Sequence, residues 1–198
     1  TEDGFNLTIF RIPGPKNCPD PKKCPPAIFQ HGVFDSSDGW LCNGEEKSIP
    51  FVLANKGYDI WLSNSRGNKY SKSHDKYEPD SFEFWQYSFH DMGMYDEPAI
   101  IEYINSQNSS GEKIIYIGHS QGTTLMFCGL SQKFDFYKKN LKCFIALAPV
   151  ARLTHVSSNL LSFFTKISLD KTVKKLKILE VGAENEKASK FYDTFEKT

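Results

Sequence analysis

Short apolar runs alternate with longer amphipathic stretches along most of the chain, and the alternation predicts a βα order. Phe5–Ile12 reads as the opening strand, introduced by the turn dipeptide Asp3-Gly4, and a proline-rich connection, Pro13–Pro26, follows it. Ala27–Gln30 is a short buried-type strand ending at His31-Gly32. Ser48–Lys56 carries a helical pattern with Ser48 as cap and Gly57 as stop, and Tyr58–Leu62 is the next strand. After a polar loop, Ser63–Asp80, Ser81 is placed to cap an aromatic-rich helix that Gly93 and Pro98 interrupt or restart before it runs on to Asn105. Ile114–Ile117, Gln121–Ser131 and Cys143–Leu147 then read as strand, helix and strand. This order predicts a mostly parallel sheet with helices on both faces, whose chemistry gathers at the carboxyl ends of the strands. Residues 1–152 form the predicted α/β unit; 153–198 are rich in Lys and Ser and show no clear further βα unit.

Composition narrows the partners. Lys+Arg and Asp+Glu number 24 each in 198 residues, so the formal charge is zero and gives no footprint for nucleic acid. Protonating all five histidines would raise it to +5. The longest apolar stretches, such as Phe144–Ala151, fall far short of the ~20 residues of a membrane-spanning helix. Five cysteines show no metal-ligand spacing; Cys18 and Cys24 flank the proline-rich loop and either pair or stay as thiols. The sequons Asn6-Leu7-Thr8 and Asn108-Ser109-Ser110 weakly favour a secretory or lysosomal route. Thr1 carries no Met or apolar leader before it, and Asp3-Gly4 has a strand on one side only, so the expectation is a chain cut at both ends.

The chemistry lies in Gly118-His119-Ser120-Gln121-Gly122, which fits G-x-S-x-G. In that pattern a serine at a sharp strand-to-helix turn is pushed out to where substrate can reach it, and the glycines at 118 and 122 avoid clashes within the turn. Four β-formers run into it and a helix-compatible segment follows. A nucleophilic Ser120 needs donors for an oxyanion, and the candidates are the backbone N–H groups of Gln121 and Val33. His31 reads as a histidine that orders the loop rather than as a proton-transfer group. The remaining triad members should follow as acid, then histidine. Only His155 comes after Ser120, too early for that role, and Glu184 and Glu186 have no histidine behind them. Within these 198 residues the predicted triad is incomplete, and no metal or organic cofactor is implied.

The chain resembles the acid lipases, the gastric and lysosomal group of the α/β-hydrolase superfamily. The resemblance rests on Thr1–Gly4 with Arg11–Pro13, Phe29–Gly32, Phe51–Gly67, Phe84-Trp85, Tyr95–Ala99, Tyr116–Thr124 and Ala146–Ala151, and covers about residues 1–155. It implies an α/β-hydrolase core with Ser120 as nucleophile, Val33 and Gln121 as oxyanion donors, and Gly118, His119 and Gly122 as the elbow. Leucine is usual in the family at the position of Val33. Asn64–Asn68 also matches but reads as structural, an ordered loop beside the site, and Asp91 and Asp96 read as capping or buried pairing rather than as catalytic groups. Family members are longer and insert a helical cap, which Leu179–Phe195 resembles at its opening. A rival reading makes Lys177–Gly182 a further sheet strand and Glu184 or Glu186 the triad acid. The implied activity is hydrolysis of neutral lipid esters, triacylglycerols or sterol esters, at a lipid–water interface in a lysosomal or secreted setting. A missing segment or companion chain would supply the acid and histidine and pair with the outer strands. The alternative is a non-catalytic α/β-hydrolase fragment that serves an assembly as a binding or structural part.

Overall fold

A computed structural model describes residues 1–12, 14 and 20–152. Five strands form one sheet: β1 (Phe10–Ile12), β2 (Pro26–Gln30), β3 (Asp59–Leu62), β4 (Ile114–His119) and β5 (Leu141–Leu147). Their order is β1-β3-β2-β4-β5, with β1 antiparallel to β3 and every other pairing parallel. The helices are α1 (Ile49–Asn55), the single turn α2 (Phe89–Asp91), α3 (Glu97–Gln107), α4 (Gln121–Gln132) and α5 (Phe134–Asn140).

Period-two alternation divides the strands between two cores. On one face Ile28, Trp61 and Tyr116 pack with Ile101 and Ile104 of α3, Met126 of α4 and Tyr137 of α5. On the other, Ala27, Phe29, Ile60 and Leu62 pack against Ala54 of α1. All five residues of β2 are buried, as its central position between β3 and β4 requires. The expected mostly parallel sheet with helices on both faces is what the chain forms.

Several boundaries depart from expectation. Of Phe5–Ile12 only Phe10–Ile12 joins the sheet. Phe5 makes an isolated antiparallel bridge with His74, Asn6 N–H donates to Ser73 O and Thr8 N–H to Ser71 Oγ. The polar loop after β3 therefore takes up the hydrogen bonds that a neighbouring strand would otherwise satisfy. Ser48 stands at the N-cap of α1 without a side-chain capping bond; Pro50 in the first turn supports that helix start instead. Gly57 ends α1 as expected, at φ 89°, with its N–H on Ala54 O. Ser81 Oγ accepts from Phe84 N–H in a local turn, whereas the long helical segment begins at Ser88, whose capping box with Asp91 opens α2. Gly93 does not stop this segment. It sits in a π-helical stretch, Met92–Asp96, where a Cβ would lie 2.6 Å from Leu125 O of α4. Pro98 then falls in the first turn of α3.

His155, Glu184, Glu186, Lys177–Gly182, the cap-like Leu179–Phe195 and Cys18 lie outside the described residues.

Candidate active site

Ser120 joins β4 to α4 at φ 50° and ψ −114°, a backbone conformation that non-glycine residues rarely occupy. It persists because both sides of the turn are over-determined. Ser120 N–H donates to Leu147 O of β5 at 3.0 Å, and Ser120 O accepts from Thr123 N–H at 2.9 Å and Thr123 Oγ1 at 2.6 Å. Thr123 Oγ1 in turn accepts from Val150 N–H at 2.9 Å, which ties the elbow to the segment after β5.

The two elbow glycines answer to close backbone approaches. A Cβ at Gly118 would lie 2.9 Å from the carbonyl of Gly122, and one at Gly122 would lie 2.7 Å from Gln30 O and 2.9 Å from His31 O. The start of α4 is thus pressed against the end of β2. Tyr116, fully buried on β4, holds the same junction by donating its hydroxyl to Gly122 O at 3.0 Å.

The loop after β2 completes the site. A Cβ at Gly32 would lie 3.2 Å from Ser120 Cβ and 3.2 Å from His119 Nδ1, so Gly32 rests directly on the elbow and Val33 follows it in the chain. Val33 is half-exposed, and Phe34, at φ 58°, is largely exposed beside it. Gln121 opens α4, where the first N–H groups have no intrahelical acceptor and the helix dipole favours negative charge. The structure therefore brings together Ser120, Gly32-Val33, Gln121, Gly118, His119 and Gly122. Among the described residues no cluster of three or more His, Cys, Asp or Glu side chains could hold a metal ion, and no helix is long and apolar enough to cross a membrane.

A buried polar scaffold holds the β2 loop from behind. Gln30 Nε2 donates to Ser65 Oγ at 2.7 Å and Gln30 Oε1 accepts from Ser63 Oγ. Asn64 Oδ1 accepts from Ser37 N–H at 3.0 Å and from Asn68 Nδ2 at 2.8 Å. Arg66 donates to Asp3 (2.6 and 2.9 Å) and to Asp96 (2.6 and 2.9 Å) while its guanidinium lies 4.1 Å from the Phe5 ring centroid. Asp96 is thus in buried pairing and Asp91 in a cap, as expected for both. Burial opposes ionisation of Asp3, but Arg66 outweighs it and holds that carboxyl below the usual carboxylate range.

Sequence reasoning missed Tyr116, Thr123 and Glu97. The first two act through backbone carbonyls that only the folded turn brings within reach. Glu97, wholly buried, reads in sequence as an ordinary acid in the first turn of a helix.

A half-buried serine on a strained strand-to-helix turn, with the loop after a neighbouring strand packed on it at the carboxyl ends of parallel strands, has the geometry of the nucleophile elbow of α/β hydrolases. Family comparison agrees: the model for the alpha/beta hydrolase fold matches residues 25–177, and that for a partial alpha/beta-hydrolase lipase region matches residues 1–44. The chain belongs to the α/β-hydrolase family. Within it, the chain is 48% identical to mouse (Mus musculus) gastric triacylglycerol lipase over 170 residues, 85% of this chain and 42% of that protein. It is 43% identical to human lipase member K over 80% of this chain and 39% of that protein. Human lysosomal acid lipase/cholesteryl ester hydrolase is 41% identical over the same shares, 80% and 39%. The chain thus spans about 40% of the length of these lipase relatives. Among solved structures, the esterase Pf2001 of Pyrococcus furiosus matches with TM-score 0.56 at 22% identity, over 90% of this chain and 58% of that one. The mature lipase BlEst2 of Bacillus licheniformis matches with TM-score 0.53 at 20% identity, over 96% and 65%. Both matches support the fold.

The expectation that the Val33 N–H is an oxyanion donor can be tested through its backbone. Val33→Leu keeps the N–H and is expected to leave kcat/KM for a short-chain ester nearly unchanged. Val33→Pro deletes it and is expected to cost about 3 kcal/mol of transition-state stabilisation, a loss of roughly 100-fold or more in kcat/KM. Equal effects from both substitutions would place the second donor elsewhere.

Proposed function

We propose that the protein is a serine carboxylic-ester hydrolase acting on neutral lipid esters, triacylglycerols or sterol esters, at a lipid–water interface. The observation that carries this reading is Ser120 at φ 50° with Gly32 of the loop after β2 packed on it. The substrate class draws support from the relatives, whose names specify triacylglycerol lipase and cholesteryl ester hydrolase. Ser120 Oγ attacks the ester carbonyl as a histidine takes its proton. The N–H groups of Val33 and Gln121 hold the tetrahedral oxyanion, the alcohol leaves with a proton from that histidine, and water releases the fatty acid from the acyl-enzyme. The histidine and its acid come from residues other than those described, in this chain or a companion. On this reading β5, an edge of the described sheet with Ile145 43% exposed, is where further strands continue. The chain requires no metal or organic cofactor, and its setting is lysosomal or secreted.

Treating the protein with a fluorophosphonate and mapping the adduct by peptide mass spectrometry tests this reading. A single adduct on Ser120 is expected, because an elbow serine is both within reach of substrate and activated. A preferred adduct on another serine would overturn the assignment.

A further inference from the structure

We propose that His31 is a positioning residue for the candidate oxyanion donor, acting as a neutral imidazole whose Nδ1–H fixes the orientation of the Gly32–Val33 peptide. The inference rests on the proposed ester hydrolysis and deepens it.

The argument starts from the hydrogen bonds of one buried ring, whose residue is only 3% exposed. His31 Nδ1 lies 2.7 Å from Gly32 O. A carbonyl only accepts, so Nδ1 carries the proton. On the other side of the ring, Nε2 lies 3.1 Å from Ser65 N and 3.1 Å from Asn68 Nδ2. Both are donors, so Nε2 is an acceptor and bears no proton. The network therefore specifies one tautomer, and the ring is neutral.

Gly32 C=O and Val33 N–H belong to one planar peptide unit and point in opposite directions. Anchoring the carbonyl on His31 Nδ1–H therefore turns the Val33 N–H away from the ring. Gly32 leaves this peptide unusually free to rotate, since it lacks a Cβ to restrain its backbone. Its lack of a Cβ is also what lets the loop rest on Ser120. The same glycine that permits the close approach thus makes an external anchor necessary, and His31 is that anchor. Ser65 and Asn68, braced by Gln30 and Asn64, hold the ring itself.

Charging the ring would place a new N–H at Nε2 against the Ser65 and Asn68 donors. Burial, opposed by the Gly32 hydrogen bond and by the charge of Asp35, holds the His31 pKa below the ordinary 6.5. The cations next in chain to the ring's supports are both paired, Arg66 beside Ser65 with Asp3 and Asp96, and Lys69 beside Asn68 with Asp38; His119 stands across Gly32. The anchor accordingly stays intact below the pH at which an exposed histidine is half charged.

The test compares three variants of the protein with Ser120→Ala as reference, and reads the tautomer in the unsubstituted protein. His31→Asn can place an amide N–H near the Nδ1 position, toward Gly32 O. His31→Gln can reach the Nε2 position and keep the Ser65 contact without that donor, and His31→Ala keeps neither. For a soluble short-chain ester, kcat is expected to fall roughly tenfold or more in the Gln and Ala variants, with KM within about threefold and partial recovery in Asn. Nitrogen-15 NMR of the unsubstituted protein is expected to show His31 with a protonated Nδ1 and a bare Nε2, unchanged on passing below pH 6.5. Recovery in Gln instead of Asn, kcat unaffected in all three, or a proton on Nε2 would each overturn the inference. Persistence of activity in Ser120→Ala would overturn the underlying hydrolase reading, a separate outcome. The NMR readout stands even where a variant fails to fold.

Discussion

Replacing Ser120 with alanine is expected to reduce ester hydrolysis by roughly 10⁴-fold or more, because it removes the atom that forms the acyl-enzyme. Stability should change by no more than about 0.5 kcal/mol, the range of substitutions that remove no buried contact. The Ser120 contacts that hold the elbow are all made by its backbone: N–H to Leu147 O, and carbonyl to Thr123. Alanine keeps these bonds and bears the same strain at φ 50° that serine does. Gly122→Ala supplies the contrast. Its Cβ would meet Gln30 O at 2.7 Å, backbone on a central strand, so the start of α4 must move away from β2 and activity and stability should fall together. Paired measurement of melting temperature and kcat separates the two cases. Turnover in Ser120→Ala within tenfold of the parent protein would relocate the nucleophile.

What was legible in the sequence follows the range over which each cause acts. The elbow is written in five consecutive residues, since the turn's own geometry demands its glycines, and the buried strands are legible because four-residue apolar runs suffice to declare them. The seven-residue α5 escaped notice, its one buried anchor, Tyr137, too little to mark a helical period. Residues 5–9 have the alternation of a strand but spend their hydrogen bonds on the loop at 70–74, a choice visible only in the folded chain. The same holds for Ser88 over Ser81, and for Arg66, whose partners lie 63 and 30 residues away. Glu97 is the extreme case: nothing local announces that an acid will be buried, because burial is a property of what packs around it.

That acid supplies the second large expected effect, a loss of stability as pH rises from about 4.5 to about 8. Glu97 is 0% exposed, and neither carboxyl oxygen finds a hydrogen-bond partner among the described residues. Burial first, then the neighbouring Asp96 carboxylate, push its pKa up to about 8, against a small opposing pull from the Tyr116 hydroxyl. The unfolded chain releases the proton near 4.5 while the folded chain keeps it until about 8, so within that window the folded state binds more protons. Stability contributed by Glu97 is therefore whole below 4.5 and declines by about 1.4 kcal/mol per pH unit through the window, on the order of 5 kcal/mol in all. Asp96, also raised by burial against its bond to Arg66, works in the same direction. Asp3 and His31, both lowered, work oppositely and lose stability toward acid. Tyr137 and Cys128 stay protonated throughout, since burial raises both. Forcing a charge onto Glu97 also bears on the site, because an ionised carboxylate competes for the Tyr116 hydroxyl that holds Gly122 O. Urea denaturation at pH 5 and pH 8 in the parent protein and in Glu97→Gln measures the effect. The glutamine amide does not titrate, so the variant should lose most of the fall in stability between the two pH values, whatever its stability at either one. An equal fall in both proteins would show that Glu97 is not the group responsible.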